Sequence, residues 1–119
     1  MIIEGKLIKG LGKASKAMAQ CTEGYKQIIG ETIFPGTFNV ELRDNIYLIS
    51  PTIRNQGSKF WKVQIIRPKE VSVWIYKQSG SEIPDNQLQI LSQYRLRSYL
   101  GIGTNGTIYI EISNKHIKG

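Results

Sequence analysis

The sequence predicts a mainly β fold, a small closed barrel with one or two short helices. Three observations point there: many short stretches rich in β-branched and aromatic residues, few segments at helical spacing, and frequent glycine. A chain of 119 residues supports one core but not two, so residues 1–119 are read as a single domain. Hydrophobic content of 40% with 21% charged residues describes an ordinary globular protein rather than a disordered or fibrous chain.

The elements follow in order. Met1 to Lys9 alternates imperfectly, yet its β-branched content and glycine end favour a strand. From Lys13 to Gly30 the spacing of Met18, Cys21, Tyr25 and Ile28 or Ile29 allows an amphipathic helix, with Thr22 an acceptable N-cap and Gly30 a natural stop. Beyond a Pro35-Gly36 corner, short strands are predicted at Asn39 to Leu42, Ile46 to Ser50, Lys59 to Ile66, Glu70 to Tyr76 and Leu88 to Ser92. Turn signals at Asp44-Asn45, Asn55-Gln56-Gly57 and Ser79-Gly80-Ser81 separate them. Val71, Val73 and Ile75 give the clearest alternation. Tyr94 to Ile112 reads as a short arginine-bearing helix, a glycine turn and a closing strand, and Asn114 to Gly119 as a frayed tail.

Composition narrows the function classes. The longest apolar runs are far too short to cross a bilayer, and Met1 to Gly5 lacks a basic region followed by an apolar core. No membrane partner is expected, and the protein is read as cytoplasmic. One cysteine, Cys21, and one histidine exclude an internal disulfide and cannot by themselves build a zinc site. A formal charge of +7 favours an anionic partner, without saying which, and the basic residues are scattered rather than massed in an arm.

Phe34-Pro35-Gly36-Thr37-Phe38-Asn39-Val40-Glu41-Leu42 is the most informative stretch. Proline and glycine make a tight corner from which a strand leaves, and residues two apart on a strand share a face. Thr37 and Asn39 therefore present a hydroxyl and an amide oxygen together. Such a pair suits a hard cation such as Mg²⁺, which keeps several waters and takes further ligands from phosphates; two polar residues facing water at a hairpin corner is the alternative. Earlier, Lys9-Gly10-Leu11-Gly12-Lys13-Ala14-Ser15 forms a glycine loop whose backbone N–H groups can approach phosphate oxygens, with lysines to neutralise charge. A plain turn is the alternative there, and neither a Walker loop nor a Rossmann fingerprint is present.

These motifs resemble, in order and over nearly the whole chain, the archaeal-type CTP-dependent riboflavin kinases. That family carries an early G-x-G loop, a central P-G-T-[LF]-N motif and a late L-R-x-x-L-G segment before a final strand. The resemblance implies a six-stranded cradle-loop, RIFT-type barrel, with Lys16 to Gln20 a strand and a helix starting near Thr22. It also implies a phosphotransferase that converts riboflavin to FMN. CTP phosphates would lie against Lys9, Gly10, Leu11, Gly12, Lys13, Ala14 and Ser15, and Mg²⁺ would be held by Thr37 and Asn39. Arg97 matches the arginine of the L-R segment, where a structural ion pair and a phosphate contact are both open.

The chain departs from that pattern at Gln89, where the family has a glutamate, and at Gly103-Thr104-Asn105-Gly106, where it has an acidic turn. A glutamine cannot accept a proton. A non-catalytic barrel that binds a nucleotide, flavin or sugar is therefore the alternative. A nucleic-acid-binding module is a third reading, drawn from the charge and from Phe60, Trp61, Trp74, Tyr76, Tyr94 and Tyr99, which can stack on bases but equally form core. No RNA or DNA recognition motif is present, so nucleic acid is not the expected partner.

Overall fold

Alternation decides which side of each strand is buried. In a computed structural model, which describes residues 1–9, 24–35 and 38–118, β1 (Ile2–Ile8) buries Ile3, Gly5 and Leu7 while exposing Ile2, Glu4 and Lys6. β2 (Phe38–Leu42) buries Phe38, Val40 and Leu42 in the same way. β3 (Ile53–Asn55), β4 (Ser58–Arg67), β5 (Val71–Gln78), β6 (Gln87–Leu91) and β7 (Thr107–Glu111) complete the strands. Two short helices join them: α1, residues 24–29, and α2 (Leu96–Leu100).

The sheet is antiparallel throughout, in the order β3-β4-β5-β6-β2-β1-β7. β7 also pairs with β4, so six strands form a ring of pairings with β3 appended outside it. Inside lies the main core, in which Val40, Ile65, Val73, Ile75, Ile108, Ile110 and Ile112 are fully buried. A second, smaller core lies on the outer side of β4 and β5, where Ile29 and Ile33 cover Phe60, Trp74 and Leu91. β4 and β5 are thus apolar on both faces, which explains why Phe60-Trp61 and Trp74-Ile75 run on instead of alternating. Full burial of each such side chain is worth about 1.5–3 kcal/mol.

Local chemistry sets the ends. Gly30 takes φ 76 and its N–H donates to Lys26 O at 2.8 Å, so α1 stops at the glycine marked for that role. Gly101, at φ 68, ends α2 likewise, with its N–H bonded to Arg97 O.

Two expectations change. Ile46 to Ser50 is not a full strand: it makes one bridge, Leu48 with Ile117. The tail is not frayed through residue 118. Ile49 N–H donates to His116 O at 2.8 Å and Lys118 N–H to Tyr47 O at 3.0 Å, while His116, 4% exposed, sets Nδ1 2.8 Å from Ser50 O. Each segment supplies the other's backbone partners, a long-range match that a local pattern does not reveal. β3 falls partly on residues that read as a turn, and Lys16 to Gln20 lies outside the described residues. Among the described residues no helix is long and apolar enough to cross a membrane.

Gly5 faces the core opposite Leu42 and Ile108. A Cβ there would overlap Val40 Cγ1 and stand 3.3 Å from Leu42 Cδ2. Gly5→Ala is therefore predicted to destabilise the protein by about 1–3 kcal/mol through overpacking, as a lower urea midpoint at unchanged m-value.

Candidate functional site

Antiparallel register brings together residues far apart in the chain. Ile8 stands opposite Asn39, Asn39 opposite Gln89, and Gln89 opposite Tyr76, a row running through β1, β2, β6 and β5. Directly opposed residues share a face, with Cβ atoms about 4.5–5.5 Å apart. Because Phe38, Val40, Leu88 and Ile90 fill the inner core, Asn39 and Gln89 lie on the outer face, both half-buried. Lys9, exposed, follows directly after Ile8.

The glycine turn after α2 meets the same end of β1. Asn105 N–H donates to Leu7 O and Leu7 N–H to Gly106 O, both at 2.8 Å. Asn105 holds φ 70, a left-handed conformation that asparagine tolerates better than most residues. Arg97, half-buried on α2, reaches this turn by a long Nη1 to Thr104 Oγ1 contact of 3.4 Å. Among the described residues Arg97 makes no ion pair. Lys9 follows the residue opposite Asn39, and Arg97 reaches the turn bonded to Leu7, so both cations lie toward the end of β1.

The remaining expected residues, Gly10, Leu11, Gly12, Lys13, Ala14, Ser15 and Thr37, lie outside the described residues, as does Cys21. Lys9 and Phe38, which flank those segments, both belong to this rim. Its described donors are neutral amides, and no group of three or more His, Cys, Asp or Glu is gathered among the described residues. Mg²⁺ is commonly held by a few protein oxygens, with water and phosphate completing its shell.

Gln89 also borders a groove of about 170 Å³, together with Tyr76, Lys77, Gln78, Asp85 and Gln87. That is smaller than the ~300–1,000 Å³ of clefts that enclose a drug-sized ligand. The aromatic residues divide as core and surface. Phe60, Trp61 and Trp74 are buried, whereas Tyr94 and Tyr99 stack on each other at 4.6 Å between centroids and Lys69 Nζ stands 5.3 Å from the Tyr99 ring.

Glu31, which carries no motif, fixes the approach to the Phe34-Pro35 corner. Its carboxylate accepts from Lys62 Nζ at 2.6 Å and from Trp74 Nε1 at 2.9 Å, and Lys62 Nζ lies 4.6 Å from the Trp74 ring centroid. Phe34 N–H then donates to Ser92 O at 2.8 Å. The chain entering β2 is thereby tied to β4, β5 and the end of β6. Partial burial raises the Glu31 pKa, but hydrogen bonds from Lys62 and Trp74, the Lys62 charge and a hydrogen bond from Gln93 outweigh it, so the carboxyl titrates below its ordinary value.

Compared with known proteins, the chain matches no family model and no curated protein sequence.

A depressed carboxylate pKa stabilises the fold above the unfolded value and loses that contribution as pH falls through the folded value. Acid should therefore weaken the wild type more than Glu31→Gln, the two unfolding free energies converging at low pH. At neutral pH the variant should be less stable by about 1 kcal/mol, because the pair is partly exposed. Urea unfolding across the acid range checks both statements.

Proposed function

We propose that this protein is a CTP-dependent riboflavin kinase-like phosphotransferase built on a closed six-stranded cradle-loop barrel. The observation that carries the reading is the register row that sets Asn39 beside Gln89 at the end of β1. Lys9, which precedes the glycine-loop motif in sequence, and Phe38 and Asn39, which close the Phe34 to Asn39 motif, lie at that end. The order of motifs supports the same reading.

In this scheme the ribityl hydroxyl oxygen of riboflavin bonds to the terminal phosphorus of CTP, the phosphoanhydride bond breaks, CDP leaves, and the hydroxyl proton passes to solvent. Phosphoryl transfer asks chiefly for positioning and charge neutralisation, so few reactive side chains are needed. Asn39, with Thr37, would hold Mg²⁺, which supplies neutralisation of the phosphate charge when bound. Lys9 and Arg97 add positive charge on the nucleotide side. Gln89 orients the acceptor by hydrogen bonding but takes no proton. Use of a nucleoside triphosphate suits a cytoplasmic site of action.

Gln89 also favours a second reading. With an amide where a carboxylate would activate the hydroxyl, the rim is equally suited to holding a nucleotide, flavin or sugar without turnover.

Two substitutions separate these readings. Asn39→Ala should weaken Mg²⁺-dependent CTP binding by roughly tenfold, the loss of one oxygen ligand, with the fold retained by circular dichroism. Gln89→Glu should raise the rate of FMN formation from riboflavin and CTP by about a hundredfold, a typical general-base contribution, at nearly unchanged CTP affinity. FMN from neither the wild type nor Gln89→Glu, alongside CTP binding that depends on Asn39, leaves the binding barrel. CTP affinity untouched by Asn39→Ala refutes the site itself.

A further inference from the structure

α2 joins β6 to β7 and turns Leu96 and Leu100 into the inner core. Tyr99, half-buried, packs against that core, and the Tyr94 ring lies on it at 4.6 Å between centroids with an interplanar angle of 15°. The backbone beneath the pair is fixed. Tyr94 N–H donates to Ser92 Oγ at 3.0 Å, and Tyr99 N–H to Arg95 O at 2.9 Å. Among the described residues Tyr94 makes no ring contact besides Tyr99. With Tyr99 on one face, an exposure of 48% leaves the opposite face of Tyr94 available.

Two cations border the pair. Lys69, from the connection between β4 and β5, sets Nζ 5.3 Å from the Tyr99 ring centroid. Arg95 precedes Tyr99 by one helical turn, the spacing at which side chains are neighbours on a helix surface. Both are exposed, and neither makes an ion pair among the described residues; Glu70, next to Lys69, makes none either. An open aromatic face beside unpaired cations matches a planar base that carries phosphate. A sugar ring or a proline could also lie on tyrosine, but neither brings negative charge to Lys69 and Arg95. A duplex hides the faces of its bases, whereas a single strand offers them for stacking.

We propose that Tyr94 is the stacking platform of a site for single-stranded nucleic acid, with a base on its open face and neighbouring phosphates at Arg95 and Lys69. Neither tyrosine takes part in the phosphotransferase reading, and the proposal does not rest on it.

The test is fluorescence anisotropy of the full chain with a labelled oligouridine over a range of salt, beside an abasic strand of the same length and charge. Stacking of a base on one aromatic ring is worth about tenfold in affinity, so oligouridine should bind about tenfold more tightly than the abasic strand. Tyr94→Leu should remove that advantage and Tyr94→Phe should keep it. Each single-strand phosphate contact contributes about 0.7 to the steepness of log K against log salt, so Lys69→Gln with Arg95→Gln should flatten the slope by about 1.4. The charge-matched control, Lys115→Gln with Lys118→Gln, should leave the slope unchanged. Thermal melting establishes that each variant is folded, and the abasic comparison on the wild type decides the matter if Tyr94→Leu is not. No binding of oligouridine, an abasic strand bound as tightly, or an oligouridine affinity untouched by Tyr94→Leu would each overturn the proposal. So would CTP bound as tightly as oligouridine and weakened equally by Tyr94→Leu, which would assign the ring to a mononucleotide instead.

Discussion

The double pairing of β7 is the constraint on which the rest of the structure depends. One side of the strand pairs with β1 from Ile2 to Lys6 and the other with β4 from Gln64 to Arg67. Without the second set, β4 and β7 would each carry an open edge of unpaired N–H and C=O groups, and the inner core would lose a wall. Ile108 and Ile110, both at 0% exposure, are buried because both neighbours are present. The register shift between Ile65 and Arg67 falls where β4 must serve β5 and β7 together, a usual place for a bulge that bends a strand.

That ring determines what meets at its rim. Once β1 is held between β2 and β7, its last residues bring Lys9 beside the start of β2 and the Asn105-Gly106 turn beside Leu7. Gly5 permits this by leaving room for Val40 in the neighbouring strand. The outer core adds a second restraint. Ile29 and Ile33 dock against Phe60 and Trp74, and Glu31 between them finds Lys62 and Trp74. A carboxylate placed on an apolar seam would be costly if unpaired. With two donors it instead pins the chain shortly before the corner that leads to Asn39.

Much of the fold was legible because it is locally encoded. The Val71, Val73 and Ile75 alternation, the stop at Gly30 and the helix, turn and strand from Tyr94 to Ile112 depend on neighbours in sequence. What was not legible depends on distant partners. Ile46 to Ser50 has strand-like composition but meets the tail at a single bridge, and His116 is buried by a loop more than sixty residues away, as its separation of 66 from Ser50 shows. Asn39 and Gln89 were each marked by motif position, yet their direct opposition is a property of β2 to β6 register. Glu31 and the approach of Lys69 to Tyr99 carry no motif at all. They become visible only when strands and connecting loops are laid side by side.

The proposed function makes the rim at the end of β1 the place where nucleotide phosphate meets protein. An NMR titration of isotope-labelled protein with CTP and Mg²⁺ tests this most directly, since each backbone amide reports on its own surroundings. Shifts concentrated at Lys9, Asn39, Gln89 and Thr104 to Gly106, and weak or absent in Ile53 to Asn55, are the predicted result. Shifts confined to other parts of the molecule, or no shifts at saturating CTP and Mg²⁺, would contradict it.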